Sequence, residues 1–475
     1  FVAGAGIAGI MAAISAAEQG KSVILASAAT IFSGSSFYPG TWGLGLIGPE
    51  NDADAEDLVQ TILSVGRGMA DETMVRAFVD GITPAIEKLK GMGVQLKAAQ
   101  AQTQKDFIPC FDHKHRAWNG ILADSARAVF AKRMAELPIQ QMVGCALLDI
   151  TTAENSVTGV LVKTAENTLA WLGCKSLVLA TGGYGGLFAR RLTTDDVGGM
   201  GQYLALQHGC TLVNMEFMQM MPGYLSPCPK TIFNEKTFRY AVLRDADGVP
   251  LLENCADKAA LLAQRSTHGP FTTRLASKEV DYAMMQAKNA EKQGITVTYS
   301  AEMQENMPEF IKTYFDWLLE KKHLTPQDSV QIALFAHAAN GGIQIAPDTA
   351  TPLKGLFACG EVTGGMHGAD RIGGLSTANG LVFGQKAGAA AAKYAATVLQ
   401  DSTESPLTID CYQIENSTEL REKMRETMSS AGMIRRDEAH LQAALTALCT
   451  LQKQCVKTPT ADGTKVAKAR LLEAQ

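Results

Sequence analysis

The sequence predicts an α/β fold: an interrupted Rossmann-type nucleotide domain, an inserted α+β capping domain and a C-terminal helical domain. Three observations lead there. The turn Gly4-Ala5-Gly6-Ile7-Ala8-Gly9 has Gly-x-Gly-x-x-Gly spacing, follows the apolar start Phe1-Val2-Ala3 and opens a helical pattern. The solid apolar run Leu177-Val178-Leu179-Ala180 stops at Thr181-Gly182-Gly183, as a buried central strand does at a tight turn. A Met-, Pro- and Phe-rich texture from about 211 to 325 separates this part from a second glycine-rich part running from Gly341 through Gly384.

Taken in order, Phe1 to Ala3 reads as the end of a strand, so further residues are expected ahead of it. The periodic run Ile10 to Gln19, its stop at Gly20 and the apolar Val23-Ile24-Leu25 complete a strand, helix and strand. In the glycine turn, Gly4 permits the tight bend, Gly6 lets the backbone approach a pyrophosphate, and Gly9 lets helix and strand pack closely. The helix N-terminal amides then hold the phosphates. Where an acid would grip the adenosine ribose, the second strand runs into Ala26-Ser27, whose hydroxyl bonds a ribose more weakly. That lowers the odds of NAD and leaves FAD open.

Ser33 to Gly48 is too irregular for one element, and helices are expected near Asp54 to Ser64 and Asp71 to Met92. Gly355 to Val362 spells a short apolar strand ending in Gly360-Glu361, where a carboxylate at the strand's carboxyl end can accept bonds from ribityl hydroxyls. Amphipathic runs at Ser417 to Ser429 and Arg436 to Lys453 predict the helical tail. The expected domains are 1–210 and 329–404 for the nucleotide fold, 211–328 for the cap and 405–475 for the tail.

At 475 residues the chain exceeds a single core. A net charge of −5 supplies no basic stripe for nucleic acid, and no apolar run reaches the length of a membrane span. Ten cysteines occur singly, without metal-ligand or haem spacing, and read as reduced packing thiols of a cytoplasmic protein. No metal is expected, and no Ser-His-Asp order presents itself.

With these motifs in hand, the chain resembles the fumarate reductase, succinate dehydrogenase and L-aspartate oxidase flavoproteins. The resemblance is carried by Gly4 to Gly9, Ser27 through Ser35-Ser36-Phe37-Tyr38, Leu179 to Gly183, His337 to Gly342, Gly360-Glu361, His367-Gly368-Ala369-Asp370-Arg371 and Leu420-Arg421-Glu422. It implies FAD, contacted by Gly4, Gly6, Ala8, Gly9, Ser27, Ser35, Ser36, Ala180, Thr181, Gly182, Gly360, Glu361, Arg371 and Ser376. Covalently flavinylated members carry a histidine where this chain has Ser35, so a non-covalent cofactor is implied.

The resemblance also implies hydride transfer between flavin N5 and a small dicarboxylate-like acid held by Arg371 and His337, with an external electron donor or acceptor. Arg suits a carboxylate because its planar fork binds bidentately. The sequence departs from the family in three places. Met221 in Gln219-Met220-Met221-Pro222 replaces a carboxylate-binding histidine. No Arg-Gly-Glu-Gly-Gly run stands near Thr237 to Leu243. Lys278 follows Ala276-Ser277 where a proton-shuttling arginine is expected; Lys278, or Arg274 one turn earlier, is then the candidate proton donor.

Two alternatives stay open: an L-aspartate oxidase-like amino-acid oxidase, and a flavin-binding electron carrier or subunit with weakened catalysis. Met215, Met218, Met220 and Met221 read as core packing before a pocket wall. His113 and His115, beside Arg116 and Trp118, read as a polar loop.

Overall fold

A computed structural model describes residues 1–41, 43–98, 116–398, 412–455 and 457–459. His113 and His115 lie outside the described residues.

A five-stranded parallel sheet organises the nucleotide half, in the order Leu356–Ala358, Leu177–Leu179, Val2–Ala3, Val23–Ala26 and Ile139–Met142. Segments hundreds of residues apart thus pair edge to edge, as an interrupted fold requires. The inner strands are apolar, with Leu177, Val178 and Leu179 buried, while the edge strand Ile139–Met142 exposes Gln140 and Gln141.

The Ala-rich helix Ile7–Ala17 has all of its residues buried. It packs against the helix Leu375–Ala395 at van der Waals distance from backbone to backbone: a Cβ on Gly384 would lie 2.5 Å from Ala8 O, and one on Gly388 2.1 Å from Ala12 O. Small residues are therefore the sequence's answer to a seam with no room for side chains.

The alternating stretch around Leu161 is not part of the parallel sheet. It belongs to a separate antiparallel sheet of Ala146–Ala153, Ser156–Lys163 and Leu169–Gly173. Period-two alternation marks a half-exposed sheet, while the buried strand Leu177–Leu179 shows none.

Three strands of the inserted region join Val330–Ala339, which lies past the expected boundary at 328, in a four-stranded antiparallel sheet in the order Met218–Ser226, Val330–Ala339, Ile295–Tyr299 and Ala241–Arg244. Its core is aromatic, with Tyr224, Phe233, Phe238 and Tyr314 buried. It also encloses a fully buried ion pair, Arg265 Nε to Asp281 Oδ2 at 2.7 Å. The guanidinium lies 4.9 Å from the ring of Phe238 and donates to the carbonyls of His268 and Gly269.

The tail helices are Ser417–Ala431 and Glu438–Lys453, and Arg425 Nε anchors the first to the carbonyl of Gly186 at 2.9 Å. Among the described residues, no helix is long and apolar enough to cross a membrane, and no cluster of His, Cys, Asp or Glu has the makings of a metal site.

Candidate active site

A cavity of about 440 Å³ opens where the parallel strands end. Its floor is the residues that follow four of those strands: Gly4 to Ala8, Ala26 to Ala28, Ala180 to Gly182, and Gly360 with Glu361. Ligands bind at the carboxyl ends of open α/β sheets because strand-to-helix turns present amides there without side chains in the way.

The three motif glycines do different work. Gly4 has φ +108°, and a Cβ there would sit 2.2 Å from Ala180 O. Gly6 is the N-cap of the helix Ile7–Ala17 and has no side chain of its own to cap the first turn, whose residues Ile7 and Ala8 line the cavity. Gly9 is not on the cavity wall. A Cβ on it would lie 1.9 Å from Gly4 O, so this glycine seats the helix on the strand.

Gly360, at φ +77°, approaches the same helix, its missing Cβ 2.7 Å from that of Ala8. Ser27, Ser35, Ser36 and Ser376 line the cavity as well. The hydroxyl of Ser27 already donates to Thr30 O at 2.9 Å, and that of Ser36 accepts from the amide of Ile7 at 3.3 Å.

Several buried polar atoms on the lining have no partner within the protein: Thr181 Oγ1, Asn379 Oδ1, His337 Nδ1 and His367 Nδ1. Buried polar groups are paired in folded proteins, so these point to a polar ligand. A glycine-floored cavity with helix amides at one end and orphaned polar atoms along it suits FAD.

Glu361 is half-buried, and its Oε1 accepts from the amide of Ala339 at 2.8 Å. Burial pushes its carboxyl above the usual range, with the Ala339 amide and the Arg371 charge pulling the other way. A Cβ on Gly183 would meet Glu361 Oε1 at 2.5 Å, which explains the second glycine after Gly182.

At the far end stands Arg371, buried rather than in a surface ion pair. Its Nε donates to Gln219 Oε1 at 2.9 Å and its Nη1 to Ile372 O at 3.2 Å. Burial lowers the guanidinium to about 10, opposed by Glu361 and Asp370, so it remains charged at neutral pH.

His337 and His367 flank it. Burial, with the Arg371 charge added, holds both imidazoles down at about 3, so both are neutral hydrogen-bonding groups. His367 Nε2 lies 3.4 Å from Asn379 Nδ2, and the ring meets Phe78 edge-on.

The proton-donor candidates lie elsewhere. Neither Lys278 nor Arg274 is on the cavity wall, although Gly269 and Pro270 of the same segment are. Lys278 opens the helix Lys278–Gln286. Arg274 Nε donates to Asp370 Oδ2 at 3.1 Å, a pair beside Arg371.

Glu235, which the sequence did not single out, does line the cavity and is 1% exposed. Burial raises its carboxyl, against the pull of Lys236 and Arg265. An acid between Asn234 and Lys236 looks like a surface turn, and no local pattern betrays its burial. His367 and Gln219 were visible only as members of quoted motifs, without a role.

The methionines divide. Met221 lines the cavity, while Met218 and Met220 pack with Tyr184 and Phe188 in a buried cluster that Met215 adjoins. Neither Arg116 nor Trp118 borders the cavity; Arg116 is buried against Asp54 and Asp57.

A family model described as FAD binding domain matches residues 1–377. The chain is 25% identical over 482 residues to a chain of the CoM/CoB fumarate reductase of Methanothermobacter marburgensis, spanning 95% of this protein and 84% of that one. It is 28% identical over 388 residues to the L-aspartate oxidase of Mesorhizobium japonicum, spanning 78% and 70%.

Among solved structures, Mycobacterium smegmatis Sdh1 in complex with UQ1 superposes with a TM-score of 0.77 at 21% identity, covering 100% of this chain and 82% of that one. Escherichia coli quinol fumarate reductase FrdA gives 0.76 at 22% identity, covering 100% and 85%. At such identities these two structures speak for the fold.

Proposed function

Given that the chain belongs to the FAD binding domain family and is an FAD-dependent oxidoreductase of the fumarate reductase, succinate dehydrogenase and L-aspartate oxidase group, we propose that it reduces the C=C bond of a small fumarate-like acid, or runs the reverse oxidation. The observation that carries this reading is the buried, charged guanidinium of Arg371 at one end of the cofactor cavity, gripped through Nε by Gln219.

FAD fits the cavity with its pyrophosphate over the amides that follow Gly6 and its ribityl chain near Glu361 and Thr181. When bound, it supplies or accepts the hydride at N5. Serine at position 35 offers no imidazole for a covalent link, so the cofactor is held by these contacts alone.

Arg371 binds and orients the acid's carboxylate bidentately. His337 and His367, neutral at working pH, add hydrogen bonds without adding charge. Reduction requires a proton at the alkene carbon beside the one that takes the hydride. Glu235 lines the wall, and burial disfavours its anion, which suits a proton donor. Lys278 and Arg274, the candidates from the sequence, stand off the lining. The capping region over this end excludes water, and two electrons per turnover come from or go to an external partner. The free, singly placed cysteines suit a cytoplasmic setting.

The test is anaerobic oxidation of reduced methyl viologen by the FAD-loaded protein with a panel of enoic acids. Turnover without peroxide supports the reductase. Peroxide and ammonia from L-aspartate in air would instead make the protein an oxidase. A visible spectrum that no acid perturbs would make it an electron carrier.

A further inference from the structure

Resting on that reading, we infer that the acid has a single carboxylate and an apolar remainder: an enoate with an alkyl or aryl group where fumarate carries its second charge. Two independent features of the cavity lead to this.

The first is a shortage of positive charge. Among the described residues that line the cavity, Arg371, Arg421 and Arg425 are the cations. The last two stand on the tail helix Ser417–Ala431, where Arg425 is bound to Gly186 O. At the substrate end this leaves one guanidinium for one carboxylate. The flanking imidazoles, held near 3, do not compensate a second charge.

The second is an apolar stretch of the wall. Met221, Leu192, Ile232 and Tyr38 form one buried apolar cluster and all four line the cavity. The hydroxyl of Tyr38 donates to Lys230 O at 2.7 Å, so it is already satisfied.

The acid beside this wall, Glu235, brings no positive charge to an anionic ligand. A Cβ built on Gly269 lies 3.4 Å from Met221 Cε and 3.7 Å from Glu235 Cδ, so thioether and carboxyl flank the same glycine. A second substrate carboxylate there would be stripped of water beside a carboxyl and a methionine, without a cation on the lining to compensate it. An alkyl or aryl group gains from the same surface.

The experiment compares fumarate, crotonate and cinnamate as oxidants of reduced methyl viologen with the FAD-loaded protein. It also titrates the visible spectrum of the oxidised protein with succinate and 3-phenylpropionate. The expected result is a kcat/KM for crotonate or cinnamate roughly tenfold or more above that for fumarate, with 3-phenylpropionate binding at lower concentration than succinate. Met221→His narrows or reverses the preference, while Met221→Leu preserves it and controls for folding.

Equal or better use of fumarate, with succinate bound more tightly, overturns the inference and leaves the reductase reading intact. An unchanged preference in a folded Met221→His protein overturns it too, since the wall would not be what selects. If no acid is reduced and none perturbs the spectrum, the reductase reading falls and takes this inference with it.

Discussion

Arg371 of the nucleotide half donates through Nε to Oε1 of Gln219 on the capping strand Met218–Ser226, a 2.9 Å bond between residues 152 positions apart. The amide of Gln219 also donates to the Arg371 carbonyl at 3.1 Å. The two groups clasp each other reciprocally, so the orientation of the guanidinium depends on how the cap sits.

Gln219→Leu, close in size but without the acceptor, should leave FAD content unchanged and lower kcat/KM for the acid by roughly 10- to 100-fold. Steady-state kinetics on FAD-saturated protein reads this out. An unchanged kcat/KM would mean that Arg371 needs no help from the cap.

Two alanine substitutions one helical turn apart should fail differently. Gly6→Ala puts its methyl 3.6 Å from Ser36 Oγ, an ordinary contact, at a residue with φ −75°. The protein should fold and lose FAD affinity by about tenfold or more, roughly 1.4 kcal/mol, because the methyl intrudes on the pyrophosphate. Gly9→Ala drives a methyl to 1.9 Å from Gly4 O and should cost about 1–3 kcal/mol of stability through overpacking. Thermal melting of apoprotein and flavin absorbance separate the two.

Glu235→Gln keeps the shape of the side chain and removes its proton. If the carboxyl protonates the substrate, kcat should fall by roughly 100-fold or more with little change in KM. Lys278→Met, off the cavity wall, should leave kcat near the parent value. The reverse pattern would return the role to Lys278.

Acid should weaken the apoprotein through its buried imidazoles. Burial holds His337 and His367 at about 3, and an unfolded histidine titrates near 6.5. Between these values the unfolded chain binds more protons than the native one, so stability is full above about pH 6.5 and declines as the pH falls toward 3. His367→Gln should flatten the slope by up to roughly 1.4 kcal/mol per pH unit. Urea unfolding at several pH values tests this, and an unaltered slope would show that His367 is charged in the fold.

Arg265 and Asp281 test the cap. Asp281→Leu strands a fully buried guanidinium and should cost about 3–5 kcal/mol, whereas the double exchange with Arg265→Leu should cost less than the sum of the singles. Because Arg265 also holds the carbonyl of Gly269, a cavity residue, the single exchange should raise KM as well.

What the sequence determined by itself is whatever local spacing encodes. The turn Gly4 to Gly9, the apolar run Leu177 to Leu179 and the Gly360-Glu361 strand end each carry their meaning in a few consecutive residues, because backbone conformation and burial period are local properties. The helical tail was legible for the same reason.

Tertiary structure alone decided the end of the cavity around Arg371. Glu235 became a cavity residue because a 3₁₀ turn, Glu235–Tyr240, was folded into the cap, and Lys278 fell off the wall although it matched a motif position. Met221 separated from Met218 and Met220 because alternate residues of one strand face opposite sides of its sheet, and what each side meets is set by other parts of the chain. Burial, charge compensation and the shifts they impose on Glu235, His337 and Arg371 are sums over neighbours distant in sequence, and no window along the chain contains them.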